Sequence, residues 1–364
     1  MSMETADLVV VGLGPAGSCA AAEAAEAGAR VIAIEARAAA GTPVQCAEFV
    51  PALLEQEVPS LGFVAVQSIA RMLNYVEAAP PDETAPFPGY MIDRGRFDRL
   101  LAERAAALGA DCRYGRRVAG VDADGVLHAT DGAAFRAGAI IGADGPRSRI
   151  GGASGRVNSA LVETRQITVA LHRRHDATDI FLRAAYPGGY GWLFPKGRLA
   201  NIGLGLASHA RAGLRPLLTA LHAELVAAGR VGAAVRGLTG GAIPVGGRLP
   251  AVRRIGGVPA LLAGDAAGLA NPVTGAGIAS AVQSGTLAGA AAASWLGGNP
   301  AALDAYEEEL ADTFDAALHR ARARRAGLLA AYPGQPTADA LRAGWVGYPQ
   351  YWAATAPARM EKAA

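Results

Sequence analysis

An α/β fold, composite in the α+β sense, is predicted by three features of the chain. Residues 7–11 form an apolar run that passes through Gly12-Leu13-Gly14-Pro15-Ala16-Gly17 into an alanine-rich helical stretch, the strand, turn and helix that open a Rossmann-like nucleotide-binding domain. Two more apolar runs end in an acid beside glycine, 139–143 before Asp144-Gly145 and 260–263 before Gly264-Asp265, as suits a ligand crevice at the carboxyl edge of a parallel sheet. Between them, residues 165–206 alternate like half-buried strands, with turn glycines at 188, 189 and 197, and predict an antiparallel sheet facing the substrate. The expected organisation is a discontinuous nucleotide domain over 1–67, 91–160 and 255–300, an interleaved substrate-binding sheet domain over 68–90 and 161–254, and a C-terminal helical region over 301–364.

In the opening unit, Gly12 permits the tight turn, Gly14 lets a pyrophosphate approach the backbone, and Gly17 lets the helix pack on the strand. Pro15 and Ala16 begin the helix whose N-terminus receives the phosphates. A second strand, 29–34, ends in Glu35, placed to accept hydrogen bonds from a ribose; such an acid favours a free 2′-hydroxyl, hence FAD or NAD over NADP. Arg37 stands two residues further on. The segment Gly41-Thr42-Pro43-Val44-Gln45-Cys46-Ala47-Glu48 reads as a loop leading into a helix.

Residues 68–90 are strand-like pieces broken by Pro80, Pro81, Pro86 and Pro88, an excursion from the nucleotide domain. An amphipathic helix opening at Ile92-Asp93-Arg94-Gly95-Arg96-Phe97-Asp98 returns the chain to it, and residues 117–129 form a small antiparallel ribbon. Residues 210–228 read as helix and 237–257 as a glycine-rich return. Asn271-Pro272-Val273-Thr274-Gly275-Ala276-Gly277-Ile278 then starts a second helix from glycines, offering another N-terminus near residue 275 to a polar or anionic group. A ligand that uses both helix starts must be long, as FAD is. The helix over 278–296 is apolar but consists mostly of Ala, Gly and Ser with Gln283 inside, so it reads as a close-packed helix rather than a membrane span. The last sixty residues read as helices with an acidic block at 307–309 and a basic block at 320–325, solvated faces of which the basic one could meet a membrane surface.

A net charge of +2 over 364 residues, with 18% charged, leaves no basic surplus for wrapping nucleic acid. Three widely spaced cysteines make neither a disulfide framework nor a metal cluster, and no histidine pair has metal-ligand spacing. The N-terminus lacks a basic segment before its apolar run, so it does not read as a signal peptide, and a cytoplasmic location, free or peripheral at the inner membrane face, is expected.

Taken with these motifs, the chain resembles the FAD-dependent geranylgeranyl reductase family within the p-hydroxybenzoate-hydroxylase-like flavoproteins. The more specific signals are 41–48, similar to the family's cysteine-bearing GTPVxCxE segment, and Pro187-Gly188-Gly189-Tyr190-Gly191-Trp192-Leu193-Phe194-Pro195, which fits its PxxYxWxFP pattern. The resemblance implies FAD held by Gly12, Gly14, Pro15, Ala16, Gly17, Glu35, Arg37, Cys46, Ala47, Arg96, Val118, Asp144, Gly145, Asp265, Gly275, Gly277 and Ile278. It places Cys46 beside the isoalloxazine and the backbone of 275–278 along the flavin pyrimidine edge. The chain is shorter than many family members, and the difference is expected in the region that closes over a prenyl tail.

Tyr190, Trp192 and Phe194 alternate along a strand and therefore share one face, either a plain core face or, inside the family pattern, the substrate wall opposite the flavin. The expected reaction is reduction of isoprenoid C=C bonds by hydride transfer from flavin N5 plus a proton. An isolated alkene has no carbonyl to take up charge, so protonation must accompany hydride delivery. Cys46 is the candidate donor, beside an ordered water; its other reading is a small residue that leaves room for the flavin. No second glycine fingerprint follows a strand, so electrons must come transiently from NAD(P)H or from a ferredoxin-like or quinol donor. The competing expectation on the same cofactor frame is a monooxygenase or oxidase acting on an aromatic, carrier-bound or peptide-bound substrate. The partners expected are a small-molecule or lipid-like substrate, an external electron donor and transient contact with a membrane or carrier.

Overall fold

A computed structural model describes residues 3–353. Its centre is the strand Met3–Val11, flanked in one sheet by Ala134–Gly142 and Val31–Ile34, with Val258–Leu262 and Asp111–Arg113 beyond them, all parallel. Leu8, Val9 and Val10 are fully buried because parallel strands are covered on both faces, which is why this run is continuously apolar rather than alternating. Helices Pro15–Glu26, Arg94–Ala107 and Ile278–Leu296 pack side by side over the sheet. The long alanine and glycine helix is a packing device, as expected. A Cβ on Gly285 would stand 2.1 Å from the carbonyl oxygen of Ala16, and one on Gly289 2.4 Å from that of Ala20, so glycine alone permits this approach. No helix among the described residues is long and apolar enough to cross a membrane.

The second sheet runs in the order Val231–Thr239, Leu161–Leu171, Leu199–Ala207, Gly191–Lys196, Ala177–Leu182, Arg71–Val76 and Asp82–Thr84, antiparallel except where Ala177–Leu182 meets Arg71–Val76. One face is covered by helix Leu214–Ala227, whose Leu218, Leu221 and Leu225 pack on Ile167, Val169, Leu193 and Leu204. Each such leucine contributes about 1.5–3 kcal/mol by burial. The other face carries Trp192, Phe194, Ile180 and Leu182 and is covered by C-terminal residues Leu341, Trp345 and Tyr348.

Several boundaries differ from expectation. Strands Ala65–Ile69 and Gly89–Ile92 cross the anticipated junctions at 67/68 and 90/91, pairing with each other and with Phe49–Pro51 in a third, three-stranded sheet. Val252–Ile255 already belongs to the first sheet, so the chain returns before residue 255. The cysteine loop leads into the strand Phe49–Pro51 rather than a helix, because Phe49 and Val50 find a partner strand and the short helix Leu54–Glu57 begins only after Pro51. The C-terminal helices Ala302–Leu310 and Ala316–Ala330 are joined by one π turn, and the last eleven residues of the expected helical region, 354–364, lie outside the described residues.

Candidate active site

The glycine turn is built as its sequence requires. Gly12 has φ +95°, and a Cβ there would stand 2.4 Å from the carbonyl oxygen of Ala143; at Gly17 a Cβ would stand 1.7 Å from the carbonyl oxygen of Gly12. Both glycines serve the close approach of turn, strand and helix. Gly14 differs: no atom among the described residues lies within 4 Å of its Cβ position, so the turn is open on that side. Pro15 is the first helical residue, and Ala16 is buried against the close-packed glycine helix. Glu35 folds back on the turn, its Oε2 accepting the Leu13 N–H at 2.9 Å and its Oε1 the Arg37 N–H at 2.8 Å. The exposed Arg37 side chain spans to the cysteine loop, donating to the carbonyl of Pro43 and to Gln45 Oε1. Val118 is a buried residue of the first core, which leaves its backbone rather than its side chain for any ligand.

The two acidic strand ends converge next to this turn. Asp144 accepts from the Ser148 hydroxyl and from the Arg149 N–H at 2.6 Å, and burial raises its pKa. Gly145 has φ +83° and open space at its Cβ position. Burial pushes Asp265 up to about 6, against the pull of the nearby Arg94 guanidinium. Asn158 ties the two strand ends together, donating to the carbonyls of Pro146 and Asp265 at 3.1 and 2.9 Å. Beyond Asp265, the Asn271 side chain caps the following turn by accepting the Val273 and Thr274 N–H groups, so Gly275 can adopt φ +70° and Gly277 can start the helix at Ile278.

The arginine brought into this crevice is Arg94, not Arg96. Arg96 is exposed, and its part in the structure is a backbone N–H donated to the capping Asp93. Arg94 lies against Asp98, with Nε donating to Oδ1 at 2.6 Å, and beside Cys46. Burial works against its charge, but Asp98 and the Cys46 thiol outweigh it and raise its pKa. The helix periodicity after Asp93 could have separated the two arginines, since Arg94 shares a face with Asp98 four residues on.

Cys46 is half-buried on a loop fastened to the second sheet. Gln166 Nε2 donates to the Cys46 carbonyl at 3.0 Å, Asn201 Nδ2 approaches that of Ala47 at 3.4 Å, and Thr239 Oγ1 donates to that of Val44 at 2.6 Å. Tyr190, Trp192 and Phe194 do share one face, with successive ring centroids 5.8 and 6.4 Å apart. Tyr190 Oη donates to the Thr274 carbonyl in the glycine-rich loop at 2.5 Å, and Trp192 Nε1 to Gln166 Oε1 on the strand Leu161–Leu171 at 2.9 Å. Gln166 thus joins the aromatic row to the cysteine. Neither Gln166 nor Asn201 was singled out from the sequence, although a polar residue within an apolar strand run was the available signal.

These residues fit FAD. Glu35 is bonded to the turn through Leu13, Gly264 abuts Ala16, and the Cβ position of Gly277 stands 3.2 Å from Asp265 Oδ1, so the open turn, the second strand end, Asp265 and the glycine helix start adjoin one another in the order an extended dinucleotide needs, and they would hold it. Fold and site together define an FAD-dependent oxidoreductase with the flavoprotein monooxygenase-like fold. Residues 7–56 match the FAD binding domain family model, and residues 160–221 match the geranylgeranyl reductase catalytic domain.

The chain is 37% identical to digeranylgeranylglycerophospholipid reductase 2 of Methanopyrus kandleri over 86% of this chain and 85% of that protein. A geranylgeranyl bacteriochlorophyll reductase-like crystal structure from Thermoplasma acidophilum superposes with TM-score 0.80 at 26% identity, covering 93% of this chain and 90% of that one. A probable FAD-dependent monooxygenase of Pseudomonas aeruginosa shares the fold, with TM-score 0.70 at 16% identity over 93% and 98% of the two chains. This chain belongs to the geranylgeranyl reductase family.

Proposed function

We propose that this oxidoreductase saturates C=C bonds of an isoprenoid chain carried on a lipid, the substrate class for which its relatives are named. The observation that carries the reading is the row Tyr190, Trp192 and Phe194, packed in one largely buried cluster and joined through Trp192 and Gln166 to the loop that bears Cys46. When bound and reduced, FAD supplies the hydride equivalent. The chain's part is to accept the alkene against aromatic faces, which favour cationic character at the substituted carbon by about 0.5–2 kcal/mol, and to keep water from capturing it. Cys46 Sγ holds the proton delivered to the other alkene carbon. Electrons arrive from an external donor that docks transiently, and a lipid substrate brings the protein to a membrane surface or a carrier.

The test is anaerobic reduction of the FAD-loaded protein followed by a panel of prenyl lipids and aromatic acids, read by product mass. Two hydrogens gained per double bond support the proposal. An oxygen gained on an aromatic substrate in air, with prenyl lipids untouched, overturns it. Cys46→Ala and Cys46→Ser address the proton: unchanged turnover in Cys46→Ala removes the thiol from that role.

A further inference from the structure

We propose that Glu48 is the positioning residue of Cys46: its side chain pins a left-handed turn that aims its own backbone N–H at the cysteine sulfur and so fixes the direction of the thiol proton. This deepens the reading of Cys46 given above and rests on it. Glu48 has φ +71°, a region that side chains with a Cβ rarely occupy unless their surroundings hold them there. In that conformation its N–H reaches Cys46 Sγ at 3.1 Å. The sulfur has one proton and two lone pairs; one lone pair takes this N–H and the Arg94 side chain also lies against the sulfur, so the S–H is turned away from both donors.

The holding is done by three donors on three separate elements. Oε1 of Glu48 accepts the Arg94 N–H at 3.0 Å and Lys196 Nζ at 2.7 Å, and Oε2 accepts Asn201 Nδ2 at 3.0 Å. Thr168 Oγ1 donates to Asn201 Oδ1 at 2.9 Å and thereby turns the amide nitrogen toward Glu48. Glu48 is 6% exposed, so its charge is balanced by Lys196 rather than by water. Lys196 is also the fourth member of the alternating row 190, 192, 194 and 196, which makes the strand of the aromatic wall the same strand that anchors the turn beside the cysteine. Its carbonyl accepts the Ile92 N–H at 2.9 Å, so three partners on the side chain and two on the backbone hold the turn, more than a packing role needs.

Two measurements test this on the full-length, FAD-loaded protein. In the first, iodoacetamide alkylation is followed peptide by peptide, with Cys19 and Cys112 as internal controls. Glu48→Gln should change the Cys46 rate at least fivefold and leave the other two unchanged, and Glu48→Gln/Lys196→Met, which removes both charges and a second anchor of the turn, should not return it to within twofold of the parent. An unchanged Cys46 rate, or a parallel change at all three cysteines, overturns the proposal. Glu48→Gly, whose backbone suits the left-handed turn, replaces Glu48→Gln should that variant not fold, and is expected to shift the Cys46 rate alone. In the second, turnover of the prenyl substrate by Glu48→Gln should fall at least tenfold in kcat with KM within twofold, and Cys46→Ala/Glu48→Gln should be no slower than Cys46→Ala. If Glu48→Gln slows the Cys46→Ala background as much as the parent, Glu48 is structural and the proposal fails. If Cys46→Ala itself turns over normally, the proton-donor reading fails, and the alkylation result alone decides the positioning.

Discussion

Trp192 reaches Gln166 across an intervening strand only because Gly203 lies between them in the register Trp192, Gly203, Gln166. A Cβ at residue 203 would stand 2.3 Å from Cζ2 and 2.6 Å from Cε2 of the indole, and 2.8 Å from the carbonyl oxygen of Arg165. Carbon atoms rest about 3.5–4.0 Å apart, so Gly203→Ala must displace the ring by about 1.2–1.7 Å. A shift of that size takes the 2.9 Å bond from Trp192 Nε1 to Gln166 Oε1 beyond hydrogen-bonding reach. Both residues are buried, so the orphaned groups cost about 1–3 kcal/mol, and overpacking adds about 1–3 kcal/mol. The entropic gain from replacing glycine, about 0.4–1 kcal/mol, offsets only part of this. Denaturant unfolding should therefore show Gly203→Ala destabilised by roughly 2–5 kcal/mol. Trp192→Phe lacks both the N–H and the second ring; in that background the same alanine should cost about 1 kcal/mol or less, a coupling that a double-mutant cycle reads directly. Gly203→Ala within about 0.5 kcal/mol of the parent, or strict additivity with Trp192→Phe, would refute the account of how the wall is joined to the cysteine loop.

Gly285→Val should separate the long helix from the glycine turn at Ala16 and cost the protein most of its bound flavin, measured as FAD per chain after purification. Asp265 has a raised pKa in the folded state, so the folded flavin-free protein binds more protons than the unfolded chain between about 4 and 6; stability from this group rises as pH falls through about 6 and is lost as pH rises through it. Asp265→Asn should consequently be more stable than the parent at neutral pH and show a flatter stability profile over that window, read from denaturant midpoints of the flavin-free proteins. Asp179, with no exposed side-chain surface, pairs with Arg230 and with His175 Nε2 at 2.7 Å inside the second sheet. Asp179→Asn should cost about 3–5 kcal/mol by leaving the Arg230 charge uncompensated, and a thermal melt unchanged from the parent would contradict that.

What the sequence made legible follows from which forces are local. The glycine turn, the acid at the second strand end and the aspartate-glycine strand ends can be read because each depends on a backbone conformation that few residues allow, at a spacing fixed by one strand, one turn and one helix. The aromatic row can be read because strand alternation assigns residues 190, 192 and 194 to one face without knowledge of the partner. The pairing of strands 65–69 and 89–92 was not legible, since the hydrogen bonds that join them leave no periodic trace in either segment. Arg94 is not told from Arg96 by pattern because two helical positions, about 200° of turn, separate an inward guanidinium from an exposed one, and only the cap at Asp93 sets that phase. Gln166, Asn201 and Lys196 act on residues 120, 153 and 148 positions away, a separation at which sequence pattern is silent.

A probable FAD-dependent monooxygenase shares the fold at 16% identity, so the fold cannot by itself select reduction. Selection has to come from what faces the crevice. Here the aromatic row is roofed by Trp345, whose ring centroid lies 4.6 Å from that of Tyr190 and whose indole N–H is satisfied by Asn74 Oδ1 at 2.8 Å. Two side chains at this wall carry a proton that could be given to an alkene, Tyr190 and Cys46. Tyr190 is the hydroxyl on the wall, but it is committed to the Thr274 carbonyl, and burial raises its pKa further. Cys46 differs: its sulfur accepts the Glu48 N–H, and among the described residues it donates no hydrogen bond to the backbone. An apolar aromatic wall with a thiol nearby is the arrangement that the proposed protonation of an alkene requires.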